Sequence, residues 1–495
     1  MARPRAQKLN VYTKYNFHKL KDGTTSVYLV EYKYDYELKN YRGLSSKKVG
    51  YLPEGSTDIK DMIPVENPKP GPKPGTKRKN KTIAKISAQT PLFEVQDTRQ
   101  QDKITYPSYL AFFVLMMCAG AGMSTTPQVA EFWRTHHDEL RRLFADCPDR
   151  DISHDTVRDF YILLGKTNSD MVLKSFNAML LLEKGILHEI EKMNSPEAME
   201  VFHKSIYALD GQAIRATKIH PGSKNPRYVI SFYNSEDALV LAQMLINEKT
   251  NEKTYGPKIL NLVDVRGGIV TADAMHAQAG FAQSVLDAGA DYCLGLKDNQ
   301  KTTAEEVRNL FHTDKNQELM CYKVENDKGH GRIECREVRV LPGNLLSPEI
   351  LEKWPGLADG CIVELCSTRV VECSEEKATT EYRYYFSSLH FNKEYIAPLF
   401  LHVIRSHWNI ENKLHWVLDV IFDQDMTHCK NSDFLKGKTM LNKIMYNFMS
   451  VAKRILEKER NTSISMQSMK PIFTNVKQFL LLISKVCVLS ASNDQ

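Results

Sequence analysis

The sequence predicts an α/β protein in which a small strand-rich module, a helical domain and an α/β core follow one another. Residues 9 to 53 alternate aromatic and polar side chains between turn signals, a pattern typical of strands. From Tyr106 to about Glu191, apolar residues recur at spacings of three and four, which indicates helices. The stretch GIVTADAMHAQAGFAQSVLDAGADYCLGLK then reads as strand, helix and strand, a βαβ unit that implies two parallel strands.

The N-terminal part divides into a β-rich module over residues 1–66 and a basic linker over residues 67–92. A chain of 495 residues is long enough for roughly three or four domains. The linker contains NPKPGPKPGTKRKNK, whose prolines and glycines exclude regular helix and sheet. Its basic residues form either an arm that contacts DNA or a solvated connection. The Arg-Gly-Arg-Pro core of an AT-hook is missing, which favours the solvated connection.

Residues 93–195 are expected to form the helical domain, with a role in DNA binding or dimerisation. The segments TPQVAEFWRTHHDELRRLFADC and SHDTVRDFYILLGK carry the helical spacing most clearly. Ser153 stands at the start of the second segment, where it would cap the helix.

The α/β core begins with residues 196–320 and carries two aspartates at corresponding places. Asp210 and Asp273 each follow a short apolar run and are expected at the carboxyl ends of strands. Open α/β sheets place their ligand sites at such strand ends. The two aspartates are therefore predicted to lie in one site.

The C-terminal half of the chain predicts three further segments. Residues 321–387 have sequence patterns typical of β-strands, including CREVRVL and EYRYYFSSL. We expect them to form a β-rich insertion. Residues 388–460 should complete the core with two helices, and residues 461–495 are expected to be a C-terminal tail.

The first of these two helices contains RSHWNIENKLHWVLDVIFDQD, in which His407, Glu411 and His415 would share one face. A zinc helix of the HExxH type requires two histidines four residues apart. Here the histidines are eight apart, too far for one ion, so they are expected to contact DNA or to pack beside the site. Glu411 falls at the border of the buried face. Other carboxylates could take its place in the site: Asp264, Asp419, Asp423 and Asp425. Asp264 is better explained by a role in a turn, and Asp423 and Asp425 lie near the expected end of the helix.

Three carboxylates on two strands and one helix suggest a magnesium site. Mg²⁺ prefers oxygen ligands and binds through a few carboxylates together with substrate phosphates. Phosphodiester chemistry benefits from two such ions about 4 Å apart, one at the attacking oxygen and one at the leaving oxygen. Asp210, Asp273 and Glu411 are the candidate ligands, with Mn²⁺ as a possible substitute for Mg²⁺.

Six motifs in order resemble one known family. They are YALDGQAIRATK, EKTNEKT, GIVTADAMHAQ, GADYCLGLKDNQ, KGHGRIECRE and IRSHWNIENKLHWVLDVIFDQD, and SHDT in the helical segment also fits. The sequence resembles the DDE transposases of bacterial insertion sequences, in particular the IS-As branch of the IS-four-like superfamily. The resemblance extends from about Phe93 to Glu459.

This resemblance implies an RNase H-like catalytic core interrupted by a β-strand insertion. Residue by residue, it gives Asp210, Asp273 and Glu411 the catalytic and metal-binding roles. The wider superfamily often has tyrosine and arginine before its glutamate, where this chain has Ile404 and His407. The candidates for contact with DNA each have a surface or packing alternative; they are Lys297, Arg332, Arg405, His407, Asn412 and His415.

Composition is compatible with this function but does not require it. The chain has 66 basic and 60 acidic residues, a net charge of +6 that permits a nucleic-acid partner. No secretory signal is evident, and the apolar run from Tyr109 to Met123 is shorter than the roughly 20 residues that span a bilayer. Ten scattered cysteines without a CxxC pair are expected to be reduced thiols. We therefore expect a cytoplasmic bacterial protein that associates with the nucleoid when bound to DNA, and not with a membrane.

The leading hypothesis is a Mg²⁺-dependent transposase that cleaves inverted-repeat ends of double-stranded DNA and joins the 3′-hydroxyl to target DNA. Bringing two ends together predicts a homodimer or a higher assembly. Two alternatives stay open. One is a domesticated nuclease with the same site. The other is a non-catalytic DNA-binding protein, suggested by the basic linker and by Lys438, Lys443, Lys453 and Arg454.

Overall fold

The structure, a computed structural model, divides the chain into two compact units, Met1–Thr82 and Ile83–Gln495. The described residues are 11–19, 24–35, 40–53, 62–64, 95–167, 170–173, 175, 204–218, 226–246, 252–329, 332–371, 378–429 and 431–491. The boundary between the units falls within the basic segment 67–92, which lies outside the described residues, as do residues 176–203.

The first unit is a four-stranded antiparallel sheet, as its alternating sequence predicts. Its strands follow one another in chain order and are β1 (Val11–Lys19), β2 (Thr25–Asp35), β3 (Asn40–Leu52) and β4 (Ile63–Pro64). The side chains of Val27 and Leu52 are buried. The expected strand-rich character of this module is therefore observed.

Three helices open the second unit, where helical spacing predicts them. They are α1 (Ser108–Ala121), α2 (Thr126–Leu143) and α3 (His154–Thr167). Thr125 and Gln128 form a capping box at the start of α2. The predicted cap of α3 is also observed, because the Thr156 N–H donates to Ser153 Oγ at 3.1 Å.

A nine-stranded mixed sheet forms the centre of the second unit, in the order β10-β11-β12-β13-β9-β8-β5-β6-β7. Its central strands are β5 (Ile206–Ile214), β6 (Arg227–Asn234), β7 (Leu239–Ile246), β8 (Ile269–Ala272) and β9 (Asp291–Leu296). β5, β6 and β7 form an antiparallel meander, whereas β5, β8 and β9 are parallel. The helices along this part are α4 (Glu252–Leu260), α5 (Ala279–Asp287) and α6 (Lys301–Phe311). The α/β class and the predicted parallel pair around α5 are confirmed.

The strands of the expected insertion extend this same sheet. They are β10 (Cys321–Gly329), β11 (Arg332–Pro342), β12 (Cys361–Val371) and β13 (Thr379–Ser387), with α7 (Pro348–Lys353) between β11 and β12. β13 pairs antiparallel with β9, so that Tyr384 lies opposite Leu296 and Ser387 opposite Cys293. The insertion strands are therefore continuous with the core sheet.

The last part of the chain is helical. Its elements are α8 (Ile396–His407), a π-helical segment (Ile410–His415), α9 (Trp416–Val420), α10 (Ser432–Arg460), α11 (Met466–Phe473) and α12 (Val476–Ala491). Residues 461–495, expected to be a tail, thus contribute two helices. Phe473, Phe479 and Ile483 are buried and belong to the main hydrophobic core.

Glycines allow α3 and α10 to approach closely. A Cβ at Gly165 would lie 1.9 Å from the Asp433 carbonyl oxygen, and one at Gly437 would lie 1.9 Å from the Tyr161 carbonyl oxygen. No side chain fits at such a distance, so the crossing requires glycine on both helices. The crossing joins the N-terminal helices to the helix that packs on β7.

Eight cysteines of the described part are free thiols, in agreement with the reduced state expected from the sequence. No single described helix is long and apolar enough to cross a membrane. The bent pair α1 and α2, with an angle of 110° between them, passes that test together by length and composition.

Candidate active site

The register of β5 and β8 brings Asp210 and Asp273 to neighbouring positions. The parallel pairing of these strands ends at Leu209 opposite Ala272, and the next residue on each strand is an aspartate. Asp273 follows the end of β8, as predicted. Asp210 does not end its strand, because β5 continues to Ile214 and pairs Asp210 with Ser231 of β6. The prediction of a strand end at Asp210 was therefore wrong, but the two aspartates do lie side by side.

Glu411 lies in the π-helical segment, which the sequence did not predict. The Trp416 N–H donates to the Glu411 carbonyl oxygen, five residues back along the chain. Such π segments are rare and often occur at functional sites. Partial burial raises the pKa of the Glu411 carboxyl, and the negative charge of Asp273 raises it further, whereas Arg383 and Lys297 oppose the shift. Glu411 is therefore close enough to Asp273 for the two charges to interact.

The two histidines of the predicted stripe face different aspartates. His407 Nε2 lies 3.9 Å from Asp273 Oδ1, and its Nδ1 is 2.9 Å from Thr271 Oγ1. His415 Nδ1 lies 3.6 Å from Asp210 Oδ2. Burial lowers the pKa of His407 to about 4 and that of His415 to about 3, so both imidazoles are neutral at neutral pH.

These positions bear on two expectations. His407 lies beside Asp273 and His415 beside Asp210, so the two imidazoles face different carboxylates. Each histidine side chain is only 12% exposed, which favours the packing alternative, and contact with DNA stays a prediction.

The three carboxylates suit a hard divalent cation in chemistry, because Mg²⁺ and Mn²⁺ prefer oxygen ligands. Asp210 and Asp273 come from adjacent strands, and Glu411 lies within electrostatic reach of Asp273. Within the part of the chain that the structure describes, however, no three His, Cys, Asp or Glu side chains are arranged to hold one ion. The carboxylates would thus have to turn towards one another to share a metal.

A cavity of about 930 Å³ lies between the insertion strands and α8, and Glu411 lines it. Three of the predicted DNA contacts line the same cavity: Arg332, Arg405 and Asn412. Arg405 pairs with Glu325 and lies 3.5 Å from Asp327. A fourth predicted contact, Lys297, is exposed, and its charge opposes the rise in the pKa of Glu411.

Lys438 and Lys443 of α10 are not surface cations. Lys438 is 4% exposed and donates to the Ser124 carbonyl oxygen and to Thr427 Oγ1, at 2.6 and 2.9 Å. Lys443 is fully buried. Lys453 pairs with Glu457 at 3.1 Å, and Arg454 donates to the Asp237 carbonyl oxygen at 2.8 Å. Two of the four cations that suggested the non-catalytic alternative are therefore buried.

Sequence reasoning missed Gln212 and Gln424, two polar residues that connect β5 to Asp419. Gln212, two residues after Asp210, donates through Nε2 to Asp419 Oδ1 at 2.7 Å and to the His415 carbonyl oxygen at 3.3 Å. Gln424 Nε2 donates in turn to Gln212 Oε1 at 3.1 Å. Burial raises the pKa of Asp419 to about 6. The i, i+2 spacing of Asp210 and Gln212 places both on one face of β5 and was the available signal.

Comparison with known proteins agrees with this geometry. Residues 202–448, which include both aspartates and Glu411, match the sequence model of the family described as Transposase DDE domain. This part of the chain belongs to the DDE transposase family. The insertion strands and α8 lie within the matched range.

Three relatives from Escherichia coli illustrate the extent of the similarity. "Putative protein YbfL" of strain K12 is 27% identical over 67% of this chain and 82% of its own length. "H repeat-associated putative transposase YhhI" of strain K12 is 33% identical over 45% of this chain and 58% of its own. "Putative transposase YncI" of O157:H7 is 26% identical over 73% of this chain and 86% of its own.

Among solved structures, a piggyBac transposase synaptic complex with hairpin DNA matches with a TM-score of 0.38 and 12% identity. The match covers 82% of this chain and 77% of that one. This likeness is too low to support conclusions about the present chain.

Proposed function

We propose that this chain is a Mg²⁺-dependent DNA transposase whose catalytic carboxylates are Asp210, Asp273 and Glu411. The observation that carries the proposal is the register of β5 and β8, which sets Asp210 and Asp273 side by side. Glu411, from the π-helical segment, is near enough to interact with Asp273. The family assignment of residues 202–448 supports the same reaction class.

The residues of the chain would hold the metal and the DNA in separate ways. The three carboxylates would provide oxygen ligands to Mg²⁺, or to Mn²⁺ as its substitute. When bound, two such ions would activate the attacking oxygen and stabilise the leaving oxygen of a phosphodiester. Neutral His407 and His415, packed against the two aspartates, would exclude water from one side and restrict the carboxylate orientations.

The DNA backbone is proposed to run past the cavity beside Glu411. Arg332, Arg405 and Asn412 line this cavity, and Lys297 is near enough to Glu411 for the two charges to interact. A guanidinium group binds phosphate through two parallel hydrogen bonds. The ammonium group of a lysine binds phosphate as a point charge. Affinity for DNA would then fall steeply as salt rises.

We further propose that β5 to β9 with the final helices are an RNase H-like core. The chain would be a member of the IS-As branch and would act on inverted-repeat ends and target DNA. Two ends have to be held together for strand transfer, which implies a dimer or a higher assembly. The finer division into domains stays a prediction.

The test is cleavage of a labelled duplex that carries the element's own end, in Mg²⁺, Mn²⁺ or EDTA. Asp210→Asn, Asp273→Asn and Glu411→Gln should each lower the cleavage rate by at least about a hundredfold, because each removes several kcal/mol of charge stabilisation. DNA binding should persist in all three variants. Asp264→Asn is the matched control, since Asp264 is an exposed carboxylate paired with Arg266 at 2.6 Å.

Joined products from a target plasmid would separate a transposase from a nuclease with the same site. Cleavage that persists in any one of the three variants would remove that residue from the catalytic set. Binding without cleavage under every metal condition would favour the non-catalytic alternative.

A further inference from the structure

Charged side chains of alternating sign cross the cavity wall that β10, β11 and β12 form. The register sets Glu325 opposite Arg336 and Asp327 opposite Glu334, and it sets Glu334 opposite Arg369. Cross-strand partners lie on one face of a sheet, and so do residues two apart on a strand. These five side chains therefore share the face that looks into the cavity, which four of them line: Glu325, Glu334, Arg336 and Arg369.

Arg405 of α8 reaches these charges from the other side of the cavity. Its guanidinium pairs with Glu325, and its Nη2 lies 3.5 Å from Asp327 Oδ2. Both carboxylates belong to β10. Arg405, one of the predicted DNA contacts, is therefore already occupied by two carboxylates of the same chain.

The ion pairs continue from β10 across the sheet. Asp327 Oδ2 lies 3.7 Å from Arg336 Nη1, and Arg336 also pairs with Glu334. Glu334 Oε1 lies 2.8 Å from Arg369 Nη2. We call these side chains the ion-pair row; it contains three arginines and three carboxylates, so its net charge is zero: Arg405, Glu325, Asp327, Arg336, Glu334 and Arg369.

Stability of the fold does not account for the carboxylates of this row. The side chains of Arg405 and Arg369 are 42% and 53% exposed, so water and salt reach their ion pairs. Exposed ion pairs contribute little to the free energy of unfolding. The carboxylates do, however, cancel the positive charge of a wall that would otherwise attract any polyanion.

We infer that Glu325, Asp327 and Glu334 are internal substitutes for DNA phosphates, and that the DNA backbone binds this wall by replacing them. Carboxylate and phosphate both offer a guanidinium group two oxygen acceptors in the geometry of its fork, so one can take the place of the other. The inference rests on the proposed function, in which DNA passes this cavity. It adds Arg336 and Arg369 to the surface that contacts DNA, and it gives the carboxylates the role of weakening contact with DNA that is not held elsewhere.

This exchange has a consequence for the dependence of binding on salt. A basic side chain that neutralises a phosphate releases a cation from the DNA, which makes binding fall steeply as salt rises. When the phosphate displaces a carboxylate, the freed carboxylate takes up a cation in turn. The wild-type row therefore contributes little to the salt dependence. Removal of the carboxylates should make DNA binding both tighter and more dependent on salt.

The test is the affinity of the full chain for a labelled duplex of arbitrary sequence, measured by fluorescence anisotropy in EDTA over a series of salt concentrations. Glu325→Gln/Asp327→Asn keeps the shape of both side chains and frees Arg405. It should bind at least about tenfold more tightly at low salt, and its plot of log affinity against log salt should be steeper by about 1 to 2. Addition of Arg405→Gln should reverse most of this gain.

The matched control is Asp264→Asn/Glu459→Gln. It changes the net charge by the same amount and also frees two cations, because Asp264 pairs with Arg266 and Glu459 with Lys485. Neither acid is among the residues that line the cavity. Its affinity should stay within about twofold of the wild type, because its charges lie outside the wall that DNA contacts.

Glu334→Gln is an independent second variant, since it frees Arg369 at the far end of the row. It should increase the affinity in the same direction, and none of these variants should lower the melting temperature appreciably. Equal gains in Glu325→Gln/Asp327→Asn and in the control would overturn the inference, because net charge alone would then explain them. A lower affinity together with a lower melting temperature would also overturn it, because the carboxylates would then serve the fold.

Failure of this inference can be told apart from failure of the proposed function. If the wild type binds the duplex but the ion-pair variants bind no more tightly than the control, the inference alone fails. If neither the wild type nor any variant binds DNA, both fail. Loss of cleavage in the presence of Mg²⁺ does not enter the measurement, because EDTA removes the metal.

Discussion

Replacement of Gln212 by leucine should loosen the π-helical segment from β5. The Gln212 amide makes three hydrogen bonds, to Asp419, to the His415 carbonyl oxygen and with Gln424. A hydrogen bond to a charged group contributes about 1.5–3 kcal/mol, and a neutral one about 1 kcal/mol. Asp419 is 25% exposed, so water can replace part of its bond. The net cost of Gln212→Leu is therefore about 3 kcal/mol.

Hydrogen–deuterium exchange of peptides that cover residues 405–420 measures this cost locally, which is appropriate for a chain too large for two-state unfolding. A loss of about 3 kcal/mol corresponds to roughly hundredfold faster exchange. Gln243→Leu on β7 is the matched control, because the Gln243 amide donates to the Lys436 carbonyl oxygen and to Thr439 Oγ1 on α10, at 3.2 Å each, and not to the π-helical segment among the described residues. If both variants exchange equally fast in this region, the Gln212 network does not hold the segment.

Three further predictions concern the helix crossing, the buried lysine and the cavity. Gly437→Ala should lower the melting temperature, because the new Cβ would lie 1.9 Å from the Tyr161 carbonyl oxygen. Such a clash should lower the free energy of unfolding by at least about 1–3 kcal/mol. Gly280→Ala is the control and should leave the melting temperature unchanged, because a Cβ at Gly280 has no neighbour within 4 Å. Burial lowers the pKa of Lys443 to about 7, so the folded protein binds this proton more weakly than the unfolded chain. The wild type should lose stability relative to Lys443→Met as pH falls from about 10 to 7. If the melting temperatures of the two proteins change equally over this pH range, the prediction is wrong. Arg383→Gln should raise the pKa of Glu411 further and move the acidic limb of the cleavage pH profile to higher pH, whereas Arg369→Gln, whose side chain is 53% exposed, should leave it in place.

The sequence contained most of the sheet but not the position of Asp210 within it. Asp210-Gly211 is a strong turn signal in isolation, and it predicted the end of a strand. Pairing with β6 overrides that signal, since residues Tyr207 to Ile214 all find partners there. Asp273 lies at a true strand end because β8 is followed by a short 3-10 turn. Strand pairing of this kind depends on contacts that are distant in sequence.

The helix around Glu411 shows a different limit. A period of 3.6 residues correctly predicts the buried side chains Ile410, Leu414 and Leu418. The π segment makes the hydrogen bonds reach one residue further, and local sequence gave no sign of it. The histidines consequently face two aspartates, and Glu411 faces the cavity.

The positive charges in the sequence of α10 wrongly suggested an exposed basic surface. In the sequence Lys438 and Lys443 look like parts of a basic surface, whereas both side chains are buried in the structure. The apolar residues of α12 recur at helical spacing and contained the signal for a helix in the segment expected to be a tail.

The central claim is that Asp210, Asp273 and Glu411 bind one metal centre. Fe²⁺ can be loaded in place of Mg²⁺ and made to generate hydroxyl radicals with peroxide and ascorbate, which cut the chain beside the metal. The account predicts cuts near residues 210, 273 and 411 together, suppressed by excess Mg²⁺ and lost in Asp273→Asn but retained in Asp264→Asn. Cuts at only one of these places, or at a site that Asp273→Asn does not affect, would contradict it.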